Sequence, residues 1–132
     1  MNEQFGKEYK LCSQKIIDTI FIEKKSVKAY PFVLSYKELP LPNESRFQIT
    51  VSVPKRIFKK AHDRNRIKRL MRECIRKNKL NLEPFLTETN KQVALFMIYT
   101  AREELTLDLL HKKTKQLFKQ LVDELSKNSN NN

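Results

Sequence analysis

The residues of this chain best suited to chemistry are cations. Between Lys55 and Lys77 stand eleven Lys or Arg against two acids, so one short segment carries most of the net charge of +12. Groups that break bonds are sparse by comparison. A protein nuclease working through its own side chains needs histidines or paired acids in a cleft. His62 and His111 are the only histidines, and neither has an evident partner. Glu103, Glu104 and Asp108 are close in sequence, yet they sit at a turn and a helix start, where acids favour the helix dipole rather than a two-metal site. Gly6 is the only glycine, which excludes the phosphate-cradling loops that need several. Cys12 and Cys74 stand far apart in no ligand spacing, so a disulfide framework is not expected and a reducing cytoplasm fits. The chemistry left is binding.

Within "DRNRIKRLMRECIRK" (63–77), Ile67, Leu70, Met71, Cys74 and Ile75 recur at helical spacing. At about 100° per residue they form one arc, while Asn65, Arg69, Arg72 and Arg76 fall within about 60° of each other on the other side. One face would anchor the helix and the other would present guanidinium groups. Arginine donates in pairs to phosphate oxygens and stacks on bases. Asn65 adds a side chain able to read a base edge or a 2′-hydroxyl. The plain alternative is a solvated helix face, but such faces usually interleave Glu at i,i+4 and this one mostly does not.

Elements must hold that helix in place. The chain's 132 residues allow one domain, with 39% apolar and 32% charged residues. So large a positive excess opposes compaction by self-repulsion, and a polyanionic partner is its natural reason. Ser13 reads as the N-cap of a helix over 13–23, with Ile16, Ile17, Ile20 and Phe21 in phase. "KAYPFVLSY" (28–36) reads as a strand with an edge or bulge at Pro31. "KELPLPNES" (37–45) is a loop. In "RFQITVSV" (46–53), Phe47, Ile49, Val51 and Val53 alternate with Gln48, Thr50 and Ser52. A basic connector (55–62) leads to the arginine helix at 63–78, with Asp63 as its N-cap. Residues 80–91 read as a connector, and "QVALFMIYT" (92–100) as a strand buried on both faces. Thr106 caps a last helix at 107–126, whose stripe is Leu107, Leu110, Leu117, Leu121 and Leu125. Residues 1–12 are polar and loose at first, and 127–132 form a disordered tail by composition. No apolar run is long enough to span a membrane, and the N-terminus lacks a signal peptide's apolar core. The outcome is an α+β domain with a small central sheet packed with helices.

"RNRIKRLMRE" (64–73) says more than charge does. It resembles the Arg-Asn-Arg signature of the protein subunit of bacterial ribonuclease P. "VSVPKRIFKKAHDRNRIKR" (51–69) is similar to that family's strand, basic loop and helix entry, and the resemblance runs over roughly 10–123. It implies the order α-β-β-β-α-β-α, a fold like the second domain of ribosomal protein S5, and a left-handed βαβ crossover. It makes residues 1–126 a single RNA-binding domain. It also implies removal of 5′ leaders from precursor tRNA by a holoenzyme whose catalytic centre is a large RNA using Mg²⁺. No catalytic residue, metal or cofactor would then belong to this chain. The implied partners are that RNA, one per protein, and precursor tRNA, in the cytoplasm.

By the same resemblance, the RNA subunit would meet Lys55, Arg56, Lys59, Lys60, Arg64, Asn65, Arg66, Lys68, Arg69, Arg72 and Arg76. The single-stranded leader would lie in a cleft lined by Ile17, Phe21, Val33, Ser35, Thr50 and Ser52. From the residues alone, the Gln48–Thr50–Ser52 face suits RNA and suits solvent equally, and Phe21 suits a base stack or a core. The chain departs from the family where an aromatic residue is frequent (Ile17) and where a small apolar residue is usual (His62). Glycines common near Lys24 and near Phe58–Lys59 are also absent. Composition alone would fit another structural RNA-binding protein. A DNA-binding helix–turn–helix is disfavoured, because the segment before 63 reads as strand and loop.

Overall fold

The computed structural model describes residues 9–130, with side chains described as far as 127. Of residues 1–12, expected to be polar and loose, 1–8 lie outside the described residues, while Tyr9 packs against the core, Lys10 bridges to Ile49 and Leu11 is buried. In chain order come α1 (Gln14–Glu23), β1 (Ser26–Ala29), β2 (Phe32–Glu38), β3 (Phe47–Ser52), α2 (Ala61–Asn78), α3 (Glu83–Glu88), β4 (Val93–Tyr99) and α4 (Leu107–Asn130). The strands form one sheet in the order β1-β2-β4-β3. β1 and β2 are antiparallel, β2 and β4 are antiparallel, and β3 and β4 are parallel, joined through α2.

The sheet separates two apolar clusters. Alternation along the strands sends Phe32, Leu34, Tyr36, Phe47, Ile49, Val93, Leu95, Met97 and Tyr99 into the main core under α2 and α4. The other face of β4 contributes Ala94 and Phe96 to a smaller cluster with Ile16, Ile17 and Ile20 of α1. β4 thus buries side chains on both faces, as its unbroken apolar run foretells. Ser13 Oγ accepts from the Ile16 N–H at 3.3 Å, and Thr106 Oγ1 from the Leu109 N–H at 3.3 Å, so both expected caps are made.

Several boundaries differ from expectation. The strand read at 28–36 is a hairpin: Ala29 pairs with Phe32, leaving Tyr30–Pro31 as its two-residue turn. Proline has no N–H to give a ladder, so the strand breaks there. The arginine helix begins at Ala61, two residues early, with Lys60 at the cap position and no side-chain cap. Asp63 lies in the first turn, where its carboxylate meets Arg66 and His62 instead. The 80–91 connector contains α3, whose Pro84 sits in the first turn where its missing N–H costs nothing. Leu107 is 38% exposed and leaves the stripe of α4, which Thr114 and Phe118 complete. That helix runs on to Asn130, through positions assigned to the tail.

Candidate nucleic-acid interface

Helix α2 is anchored by the face the wheel identifies. Ile67, Met71, Cys74 and Ile75 are fully buried, and Leu70 packs against the same core. Burying each of the large aliphatic side chains contributes about 1.5–3 kcal/mol, enough to hold a helix whose outer face repels itself. Burial pushes the Cys74 thiol up to about 11, so this cysteine is a core residue and not a nucleophile.

The cations of the segment sort into two groups. Arg64 Nη1 donates to the carbonyls of Phe58 (2.8 Å) and Lys59 (3.0 Å), tying the basic loop to the helix. Arg66 binds Glu104 and Asp63, with 2.7 Å from Nη2 to Glu104 Oε2 and 3.1 Å to Asp63 Oδ1. The hydrogen bond from Arg66 holds the Glu104 carboxyl below its usual range. Arg76 is paired with Glu73 at 2.7 Å, and its hydrogen bond likewise lowers the Glu73 carboxyl. Against these, Asn65, Arg69 and Arg72 are exposed on the outer face. None of the three, nor Lys68, meets a hydrogen-bond or ion-pair partner among the described residues. Lys55, Arg56, Lys59 and Lys60 are exposed on the loop in the same way.

That loop is shaped locally. The Pro54 carbonyl accepts from the N–H groups of Ile57 (3.2 Å) and Phe58 (3.1 Å). Phe58 packs on Tyr99 with ring centroids 5.9 Å apart. The Tyr99 hydroxyl donates to the Glu103 carbonyl at 2.6 Å and accepts from the Leu105 N–H at 3.0 Å, fixing the turn that presents Glu104 to Arg66.

The expected cleft residues do come together. Val33, Ile98 and Ser52 stand in one cross-strand row, and Ser35, Phe96 and Thr50 in the next, on the face that α1 partly covers. Ile17 is half-buried against the small cluster. Phe21 is 44% exposed and meets Phe96 edge to face at 4.9 Å. Thr50 is partly committed: its hydroxyl donates to the Leu11 carbonyl at 2.6 Å, where residues 10–11 pair along the β3 edge. Sequence reasoning missed Phe96 and Ile98, the apolar floor between β2 and β3 on this face. Their signal was parity: they alternate with Leu95, Met97 and Tyr99, but an all-apolar run does not say which parity faces the core. It also missed Glu104 as the partner of Arg66, a contact across 38 positions. Among the described residues no group of three His, Cys, Asp or Glu gathers to hold a metal, and no helix is long and apolar enough to cross a membrane.

A four-stranded α+β domain with an arginine-bearing helix edge and a half-open sheet face defines the class, a small basic α+β protein. The chain matches the family described as Ribonuclease P over residues 5–122. It is 31% identical over 127 residues to the ribonuclease P protein component of Lactobacillus helveticus, covering 92% of this chain and 98% of that protein. It is 37% identical over 83 residues to the same component of Porphyromonas gingivalis, covering 63% of this chain and 61% of that one. Its fold is similar to the RNase P protein of Thermotoga maritima, with TM-score 0.67, 22% identity, and 84% of this chain and 96% of that one covered. The Staphylococcus aureus RNase P protein gives a TM-score of 0.65 at 19% identity, with 86% and 94% covered. The chain belongs to the ribonuclease P protein family. With that membership come a role in tRNA processing and an RNA partner.

Proposed function

We propose that this chain docks onto the catalytic RNA of ribonuclease P through the outer face of α2 and the loop Lys55–Lys60. On the sheet face beside α1 it holds the single-stranded 5′ leader of precursor tRNA. Cleavage belongs to the RNA and its Mg²⁺; the protein, one per RNA and in the cytoplasm, supplies affinity and alignment. The observation that carries this reading is the sorting of the cations. Arg64, Arg66 and Arg76 are spent on internal contacts that hold loop, turn and helix together. Arg69 and Arg72 stand uncommitted beside Asn65 on one exposed face, where their forks are open to phosphate oxygens.

The leader surface follows from the other face of the sheet. Phe21 and Phe96 offer aromatic area at an exposed edge, and Ser35 and Ser52 offer hydroxyls beside it. Bases stack on such surfaces without strong sequence preference. Ser52 also lies only three residues before Lys55, so the cleft opens beside the basic loop. The test is reconstitution: the protein is added to the purified RNA subunit at low Mg²⁺ with precursor tRNA. Stimulated 5′ processing supports the reading. Tight duplex-DNA binding with no stimulation would replace it with a DNA-binding one.

A further inference from the structure

At the end of the sheet remote from Ser52 and the basic loop lies a cleft of about 590 Å³. Its walls are the end of β2 with Leu39 and Pro40, Arg46 at the entry to β3, the turn Asn90–Gln92 before β4, and Leu125 of α4. Lys25, Lys37, Arg46 and Lys91 line it against a single lining carboxylate, Glu38. Lys91 is paired with Glu38 at 3.1 Å and Lys37 with Glu23 at 3.3 Å. Lys25 and Arg46 meet no carboxylate among the described residues. Arg46 Nη1 makes one long bond, 3.4 Å to the Lys91 carbonyl, which leaves most of its five N–H donors open.

The walls are braced. Gln92 Oε1 accepts from the Leu41 N–H at 3.1 Å, and Gln92 Nε2 donates to the carbonyls of Asn43 and Ser45, both at 2.8 Å. The Leu39 N–H donates to the Gln92 carbonyl and the Val93 N–H to the Arg46 carbonyl, each at 3.1 Å. Asn90 takes the left-handed turn conformation, φ 54°, that asparagine tolerates. A braced cleft with surplus cations loses little freedom when an anion enters. A lone phosphate would leave most of the volume empty, whereas the apolar sides of Leu39, Pro40 and Tyr36 suit a sugar or a base.

We propose that this cleft takes one nucleotide of the bound RNA, with Lys25 and Arg46 on its phosphodiester, as a contact surface separate from α2 and from the leader face. It rests on the reading of the chain as an RNA-docking subunit. The experiment measures affinity for the catalytic RNA across a salt series, comparing the wild type with Lys25→Gln/Arg46→Gln. The expected result is a log–log salt slope flatter by about 1.5–2 units and roughly tenfold weaker binding at physiological salt. An unchanged slope, with an unchanged melting temperature, overturns the proposal. If the double variant melts early, Lys25→Glu alone, at an exposed residue, must still flatten the slope. Binding of adenosine monophosphate in the cleft, while RNA affinity of the variants stays at the wild-type value, also overturns it. Failure of the wild type to bind the RNA at all would instead sink the docking reading itself.

Discussion

Arg66 grips Glu104 with two nitrogens: Nε lies 3.0 Å from each carboxylate oxygen, and Nη2 lies 2.7 Å from Oε2. The pair joins the start of α2 to the turn before α4, and it takes one arginine of the signature out of the free set. Hydrogen bonds from Arg66 and Arg76 depress the Glu104 and Glu73 carboxyls below their usual 4.5. A depressed carboxyl contributes stability above the unfolded value, and that stability is lost as pH falls through the folded value. The melting temperature should therefore hold from neutral pH to about 5 and drop below it. Glu104→Gln should lower the neutral plateau slightly, since the pair is partly exposed, and shrink the acid drop. A Glu104→Gln melting profile that parallels the wild type at every pH would show the pair to be inert.

Lys24 closes α1 in the left-handed conformation, φ 58°, with its N–H donating to the Ile20 carbonyl. A side chain there costs about 1 kcal/mol or more, and glycine avoids that cost while losing some chain entropy. Lys24→Gly should stabilise the protein by roughly 0.5–1 kcal/mol. Urea unfolding gives the sign directly; a lower midpoint at equal slope would contradict it.

The two thiols should react very differently. Cys12 is exposed and Cys74 is buried, with its thiol pushed up to about 11. A thiol-specific reagent at neutral pH should titrate one equivalent quickly and the second only on unfolding. Two fast equivalents would mean that the α2–α4 interface opens readily.

Phe21→Ala removes half of the edge-to-face pair with Phe96. The loss of one base stack is worth about 1–3 kcal/mol, or roughly five- to 150-fold in leader affinity. Affinity for the RNA subunit should not change. Comparing precursor tRNA with and without a leader isolates the effect, and equal losses for both substrates would show that Phe21 does not touch the leader.

Much of the fold is legible in the sequence where one physical signal acts alone. The apolar arc of α2, the alternation of β3 and the caps Ser13 and Thr106 each follow from local periodicity or hydrogen bonding. What is less legible depends on contacts that no single periodicity marks. The helix start at Ala61 is set by the turn on Pro54 and by Arg64 reaching back to Phe58, not by a capping side chain. Wheel geometry placed Arg69, Arg72 and Arg76 on one face, but only the fold shows that Arg76 is held by Glu73. Arg66 is read as a docking residue from its place in the signature, and its pairing with Glu104, 38 positions on, is visible only in the fold. The sheet face proposed for the leader was half visible, through Thr50 and Ser52, because β3 alternates cleanly; Phe96 was hidden in a run with no polar residue to mark its parity.

The most direct measurement is the salt dependence of binding between this protein and the ribonuclease P RNA for Arg69→Ala/Arg72→Ala against the wild type. Two lost phosphate contacts should flatten the log–log slope by about 1.5–2 units with the melting temperature unchanged. A slope equal to the wild type's would mean that the exposed arginines of α2 face solvent in the complex, and docking through that face would be wrong.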